Sequence, residues 1–303
     1  MLSGFLPKML KVCPINSEFI EPTLTPMTHQ GPIGIFDSGY GGLTILRDLR
    51  NRLPQYDFVY LGDNARAPYG TRSFDVVYQF TLQAVRTLFS MGCNLVILAC
   101  NTASAKALRT IQQRDLPQID ETRRVLGVIR PTVEKIGQLT TTGHIGILGT
   151  PGTVQSLSYN MEIAKMYPDF STTGHGCTLW ASLVEAGEAD SDGADFFVAK
   201  DIKALFATDP DIDTVILGCT HYPLLLHKIM DHIPAGVKVV NQGPIIAESL
   251  DDYLHRHPEM AQRCSTTGSC AYFTTELPEK FDSMTSLFLG EQVHSRRIEL
   301  LQS

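Results

Sequence analysis

Short aliphatic runs alternate with helical spacings along most of this chain. The run IGIF at 33–36 stops at a glycine-rich turn, and apolar residues then fall at 43, 45, 46, 49 and 53. That spacing is one face of a helix, so the pattern predicts a strand followed by a helix. FVYLGD at 58–63 predicts a second strand, and apolar residues at 77, 80, 84, 85 and 88 predict a helix over Phe74–Met91. LVILAC at 95–100 predicts a third strand, followed by a helix over Ala103–Gln113. Strands alternating with helices predict mostly parallel sheets covered on both faces.

The pattern then starts again. VLGVI at 125–129 predicts a strand before a helix from Pro131, and IGILGT at 145–150 echoes IGIFDS at 33–38. Helices are predicted over Val154–Tyr167, Leu179–Ala186, Asp195–Ala207 and 223–230, with strands TVILGC at 214–219 and KVVN at 238–241, the last strand of the reading. TVILGC repeats the device of LVILAC: an aliphatic strand, one small residue, a cysteine, then a polar pair. The expected fold is α/β, with two similar domains of mostly parallel sheets flanked by helices and an active site in the cleft between them. Residues 31–125 plus 242–303 form the first expected domain and 126–241 the second. Residues 1–30 carry prolines at 7, 14, 22 and 26 without a sustained period, and read as a disordered or surface-draped extension.

Composition narrows the function classes. The 303 residues are 43% hydrophobic and 19% charged, enough for two globular domains. No apolar run reaches the roughly 18 residues a membrane helix needs. The net charge of −7 comes without a basic block, which argues against nucleic acid and anionic membrane as partners. Seven widely spaced cysteines, at 13, 93, 100, 177, 219, 264 and 270, fit a reducing compartment better than a disulfide framework. No C-x-x-C pair supports a zinc site.

The chemistry gathers at strand ends. In open α/β sheets, ligands bind outside the carboxyl ends of the strands, and Asp37, Cys100 and Cys219 all stand there. If the two domains face each other, one cleft receives a thiol from each side. A free thiol has a pKa of about 8.5, which surroundings move either way. One thiolate and one thiol on opposite faces of a carbon make a base and an acid, the minimum equipment for stereoinversion.

These residues resemble a family. DSGYGGL (37–43), DNARAPYG (63–70), ACNTAS (99–104), ILGTPGTVQSLSY (147–159) and LGCTHYPLL (217–225) are similar, in order, to the cofactor-independent glutamate racemases. The likeness runs from Gly31 into the helix after Cys219; the extension lies outside it, and Thr178 stands where the family often has proline. The resemblance implies that Cys100 and Cys219 are the catalytic acid/bases, the first serving the D-enantiomer and the second the L-enantiomer, with Asp37 and His221 assisting them. It implies substrate binding by Asp37, Ser38, Tyr69, Gly70, Asn101, Thr102, Thr220 and His221. It also implies glutamate as substrate, no cofactor and no metal, a homodimer, and a cytoplasmic role supplying D-glutamate for peptidoglycan.

Each residue has a plainer role to set beside this. A lone buried cysteine usually packs rather than reacts. Asp37 could cap the helix that starts in SGYGGL. Gly39, Gly41 and Gly42 do not make a phosphate loop, because position 44 is threonine and no G-K-[ST] follows. His221 lacks the neighbouring cluster a metal needs. Glu185 and Glu188 read as solvated helix residues, although the family places a substrate-side glutamate near 185. Cys93, Cys177, Cys264 and Cys270 read as structural. The competing functions are racemisation of aspartate or a hydantoin, decarboxylation of a malonate by a one-cysteine relative, and a non-catalytic two-domain amino-acid binder.

Overall fold

The computed structural model describes residues 30–301. The expectation for residues 1–29 lies outside them. Among the described residues, ten strands build two sheets, and all pairings within them are parallel. The first sheet contains β1 (Ile33–Asp37), β2 (Phe58–Gly62), β3 (Leu95–Leu98) and β4 (Arg124–Gly127). The second contains β5 (His144–Gly149), β6 (Ser171–Gly176), β7 (Thr214–Gly218) and β8 (Lys238–Val240). β9 (Cys270–Thr274) and β10 (Ser295–Arg297) then extend the first sheet.

The strand orders reveal the repeat. The first sheet runs β10-β9-β2-β1-β3-β4 and the second β6-β5-β7-β8. Numbering shifted by four turns β2-β1-β3-β4 into β6-β5-β7-β8. IGIFD and HIGILG are therefore equivalent inner strands, and the cysteine-tipped LVIL and TVILG flank them in the same way. β1, β2, β3 and β7 are buried at every position, as strands covered on both faces must be.

Three expectations need correction. The strand at 124–127 does not open the second half: its Arg124–Gly127 backbone pairs with Leu95–Leu98 and closes the first sheet. KVV at 238–240 is not the last strand, because β9 pairs with β2 and β10 with β9. The helix expected over Val154–Tyr167 is broken into Pro151–Gln155 and Ser158–Met166, with Leu157 between them at a φ of 56°.

The helix Gly42–Arg52 packs along the helix Gln242–Arg256, where the chain returns to the first sheet. One buried cluster holds Ile33 and Ile35 of β1 together with Leu148, Val215 and Leu217 of the second sheet. The apolar core is thus continuous between the sheets, and it fixes one set of strand ends against the other.

Candidate active site

β1, β3 and β7 deliver Asp37, Cys100 and Cys219 to one place. Asp37 is the last residue of β1 and is 1% exposed. Its Oδ1 accepts from the Gly39 N–H at 2.9 Å, and its Oδ2 accepts from the Thr220 hydroxyl at 3.4 Å. Gly41 at the N-cap of the helix Gly42–Arg52 has no side chain to offer, and the Gly42 N–H in the first turn acts on the Asp37 carboxyl, so Asp37 also serves that helix start. Burial pushes the Asp37 carboxyl up; His221 and the N–H groups of Gly39 and Gly42 offset part of this.

Cys100 caps the helix Asn101–Lys106: the Ala103 N–H donates to its sulfur at 3.5 Å. The thiol in turn donates to the Ser38 hydroxyl at 3.4 Å. Burial pushes this thiol up to about 12, and the charge of Asp37 acts in the same direction. The helix expected over Ala103–Gln113 instead starts at Asn101, ends at Lys106 and is followed by a separate short helical turn Leu108–Thr110.

Cys219 has a different neighbour. Its sulfur lies 3.7 Å from Nδ1 of His221, whose Nε2 lies 2.8 Å from Glu185 Oε1. Burial opposes the imidazolium, but Cys219 and Glu185 outweigh it and push His221 up to about 10. Both partners thus favour the protonated imidazole. Glu185, read from sequence as a solvated helix residue, is its partner. The available signal was the family's substrate-side glutamate near 185; periodicity cannot connect the end of the helix Trp180–Glu185 to residue 221.

Glycine lets the two halves meet. A Cβ on Gly41 would lie 2.2 Å from Thr220 Oγ1 and 2.5 Å from His221 Nδ1. Only hydrogen fits between the β1 turn and the Cys219 turn. The Thr44 hydroxyl donates to the Thr220 carbonyl at 3.1 Å, a second tie across the same seam.

The remaining expected residues flank this centre. Thr102 Oγ1 is 3.0 Å from Thr150 Oγ1 and 3.1 Å from Thr153 Oγ1, joining the Cys100 helix to the second half. Gly70 accepts at its carbonyl from the Gly152 N–H at 2.8 Å. Tyr69 is buried and donates to the Asp63 carboxylate, which also pairs with Arg66 at 2.7 Å. Asn101 is 2% exposed, and its amide is engaged with Tyr159 and Gln242. Cys93, Cys177 and Cys264 are buried free thiols, and Cys270 is partly exposed.

One cluster escaped the sequence reading. His144, Asp209 and Asp211 bring ligand atoms within 4.8 Å of one another. They sit at the start of β5, the opposite end of the second sheet from Cys219. His144 Nδ1 is already paired with Asp209 at 2.9 Å, so the group takes no part in the thiol site.

The comparisons with known proteins identify the family. The Asp/Glu/Hydantoin racemase family model matches residues 43–250, more than half of the chain. The chain belongs to that racemase family. A glutamate racemase of Dinoroseobacter shibae is 38% identical over 279 residues, covering 89% of this chain and 99% of the relative. One of Geobacter metallireducens is 37% identical, over 85% of this chain and 92% of its own. Among solved structures, a glutamate racemase of Bacillus anthracis matches with a TM-score of 0.81 at 31% identity, covering 89% and 98% of the two chains. The glutamate racemase of Francisella tularensis in complex with D-glutamate matches at 0.77 and 30%, covering 90% and 97%. This racemase is an isomerase of two-sheet α/β architecture. Among its described residues no helix is long and apolar enough to cross a membrane.

Proposed function

We propose that this racemase interconverts L- and D-glutamate without a cofactor, with Cys219 and Cys100 as the two acid/bases. The observation that carries the reading is the meeting of two strand-end thiols, one from each sheet, across a shared contact of Asp37, Thr220 and His221. Relatives along nearly the whole chain are glutamate racemases, and one solved relative holds D-glutamate.

Cys219 takes the α-proton of L-glutamate, and Cys100 delivers a proton to the opposite face. The reverse direction starts at Cys100. The α-carbon is a far weaker acid than a thiol, so the site must stabilise carbanion character. It does so with buried donors and little water: Cys100 is 5% and Cys219 7% exposed. The hydroxyls of Ser38, Thr102 and Thr220 are donors for the substrate's carboxylates and for the charges that develop. Holding the α-carbon between two fixed thiols removes much of the entropic barrier. Asp37 and His221 assist the thiols on their own sides. The reading extends to a homodimer in the cytoplasm that supplies D-glutamate for peptidoglycan.

The test is a polarimetric assay of the purified protein on L-glutamate and, separately, on L-aspartate. Glutamate is expected to approach an equal mixture of enantiomers, with aspartate at least ~100-fold slower. Turnover should survive dialysis against a strong chelator. Faster turnover of aspartate would overturn the substrate assignment, and metal-restored activity would overturn the cofactor-free chemistry.

A further inference from the structure

Asn101, Gln242 and Tyr159 close a ring of three hydrogen bonds. Asn101 Nδ2 donates to Gln242 Oε1 at 2.8 Å. Gln242 Nε2 donates to the Tyr159 hydroxyl at 2.9 Å. That hydroxyl donates back to Asn101 Oδ1 at 2.6 Å. All donors point the same way around the ring, so each bond polarises the next. The three residues are 2%, 3% and 2% exposed in that order, so opening the ring strands a buried polar group.

Each corner belongs to a different part of the molecule. Asn101 follows Cys100 directly and begins the helix that Cys100 caps. The Tyr159 ring packs against Gly218, the residue before Cys219: a Cβ there would lie 3.4 Å from Tyr159 Cε2. Gln242 begins the helix Gln242–Arg256, by which the chain returns from the second sheet to the first. Its Nε2 also reaches Thr132 Oγ1 at 2.8 Å and the Val128 carbonyl at 3.3 Å, just after β4. Both chain crossings between the sheets, outward after β4 and inward at Gln242, are therefore tied to the turns that carry the two thiols.

We propose that Tyr159 and Gln242 are positioning residues of the racemase. Through Asn101 and Gly218 the ring sets the distance between Cys100 and Cys219 across the substrate's α-carbon. The Asn101 amide then belongs to this ring, and its side chain is not a substrate ligand. The proposal rests on the two-thiol reading above. Displacing one thiol leaves the carbanion waiting beside the other, which exchanges its proton with solvent before handing it back.

The experiment compares Tyr159→Phe and Gln242→Met with Thr132→Val, a control that removes an outer acceptor but leaves the ring closed. Both ring variants are expected to lose ~10-fold or more in kcat in both directions, with KM within about threefold. In deuterated water, starting from L-glutamate, the remaining L-glutamate should gain deuterium faster, relative to D-glutamate formed, than with the wild type. Thr132→Val should keep wild-type kcat and labelling while melting at a lower temperature. If Tyr159→Phe does not fold, Gln242→Met carries the same test, and loss of folding in both overturns a positioning role. A folded Tyr159→Phe protein with wild-type kcat and labelling overturns it. So does a rise confined to KM, which would make Asn101 a substrate ligand, or an equal loss of kcat in Thr132→Val. Wild-type product without α-deuterium would instead remove the two-thiol reading, and this proposal with it.

Discussion

Cys100 and Cys219 end equivalent strands in equivalent sheets, yet one faces an acid and the other a base. Cys100 stands near the buried Asp37 carboxylate, bonded to Ser38 and to a helix N–H. Cys219 stands beside an imidazole whose protonated form Glu185 and the sulfur both favour. The repeat supplies geometric symmetry, and the residues around it break the chemical symmetry. An anion beside Cys100 keeps that thiol protonated, an acid in waiting. Beside Cys219 stands an imidazole that Glu185 pairs from its far side.

Removing either thiol should have the largest effect. Cys100→Ser or Cys219→Ser is expected to lower racemisation by a factor on the order of 1,000 or more, with the fold kept, because a hydroxyl does not ionise usefully at neutral pH. Racemisation near the wild-type rate in either variant would dissolve the comparison.

Removing the partner of one thiol should unbalance the two sides. His221→Asn is expected to lower kcat by about 100-fold from L-glutamate, with a smaller loss in kcat from D-glutamate. Equal losses would mean that His221 serves both thiols alike. A direct chemical reading is alkylation: burial and Asp37 push the Cys100 thiol up to about 12, so Cys100 should react slowly with iodoacetamide at neutral pH, as followed by peptide mass spectrometry. Rapid alkylation of Cys100 at neutral pH would contradict its assigned surroundings.

Gly41→Ala presses a methyl group into Thr220 and His221. It should cost about 1–3 kcal/mol of stability and roughly tenfold in kcat. A variant with wild-type melting and turnover would show that the seam is looser than the contact distances imply.

The smallest expected effect is on stability against pH, and it separates the two sides by window. His221 is raised from 6.5 to about 10, so its contribution is complete below 6.5 and fades as pH rises through about 10. Cys100 is raised from 9.0 to about 12, so its contribution is complete below 9.0 and fades as pH rises through about 12. Thermal stability should therefore fall by several degrees between about pH 6.5 and 10. His221→Asn should flatten the fall below pH 9, and Cys100→Ser should flatten it only above that. The same slope in all three proteins would contradict the pairing.

The inner strands and both thiols were legible in the sequence because a strand covered on both faces must be aliphatic throughout. β6, read STTGHG, was not legible: it is an edge strand with no apolar residue to mark it. β10, read SRR, is likewise short, polar and at an edge. CAYFT of β9 lies far from its neighbour β2 in sequence, and nothing local announces that pairing. Arg124–Gly127 was assigned to the wrong half because alternation counts elements but does not say which sheet receives them. At the site, strand ends pointed to Asp37, Cys100 and Cys219, and the family resemblance pointed to His221. Glu185 was named only through the family's substrate-side glutamate, and Tyr159 and Gln242 escaped, because each acts through a hydrogen bond to a partner distant in sequence, which periodicity cannot encode.

The central claim is that two different thiols exchange protons with opposite faces of one carbon, and isotope tracing tests it most directly. In deuterated water, starting from unlabelled L-glutamate, the wild-type protein should form D-glutamate that carries α-deuterium from the first turnovers. The remaining L-glutamate should carry little at that stage, because Cys219 returns the proton it removed. Early D-glutamate that is mainly unlabelled would show one group carrying the proton from face to face, and would contradict the account.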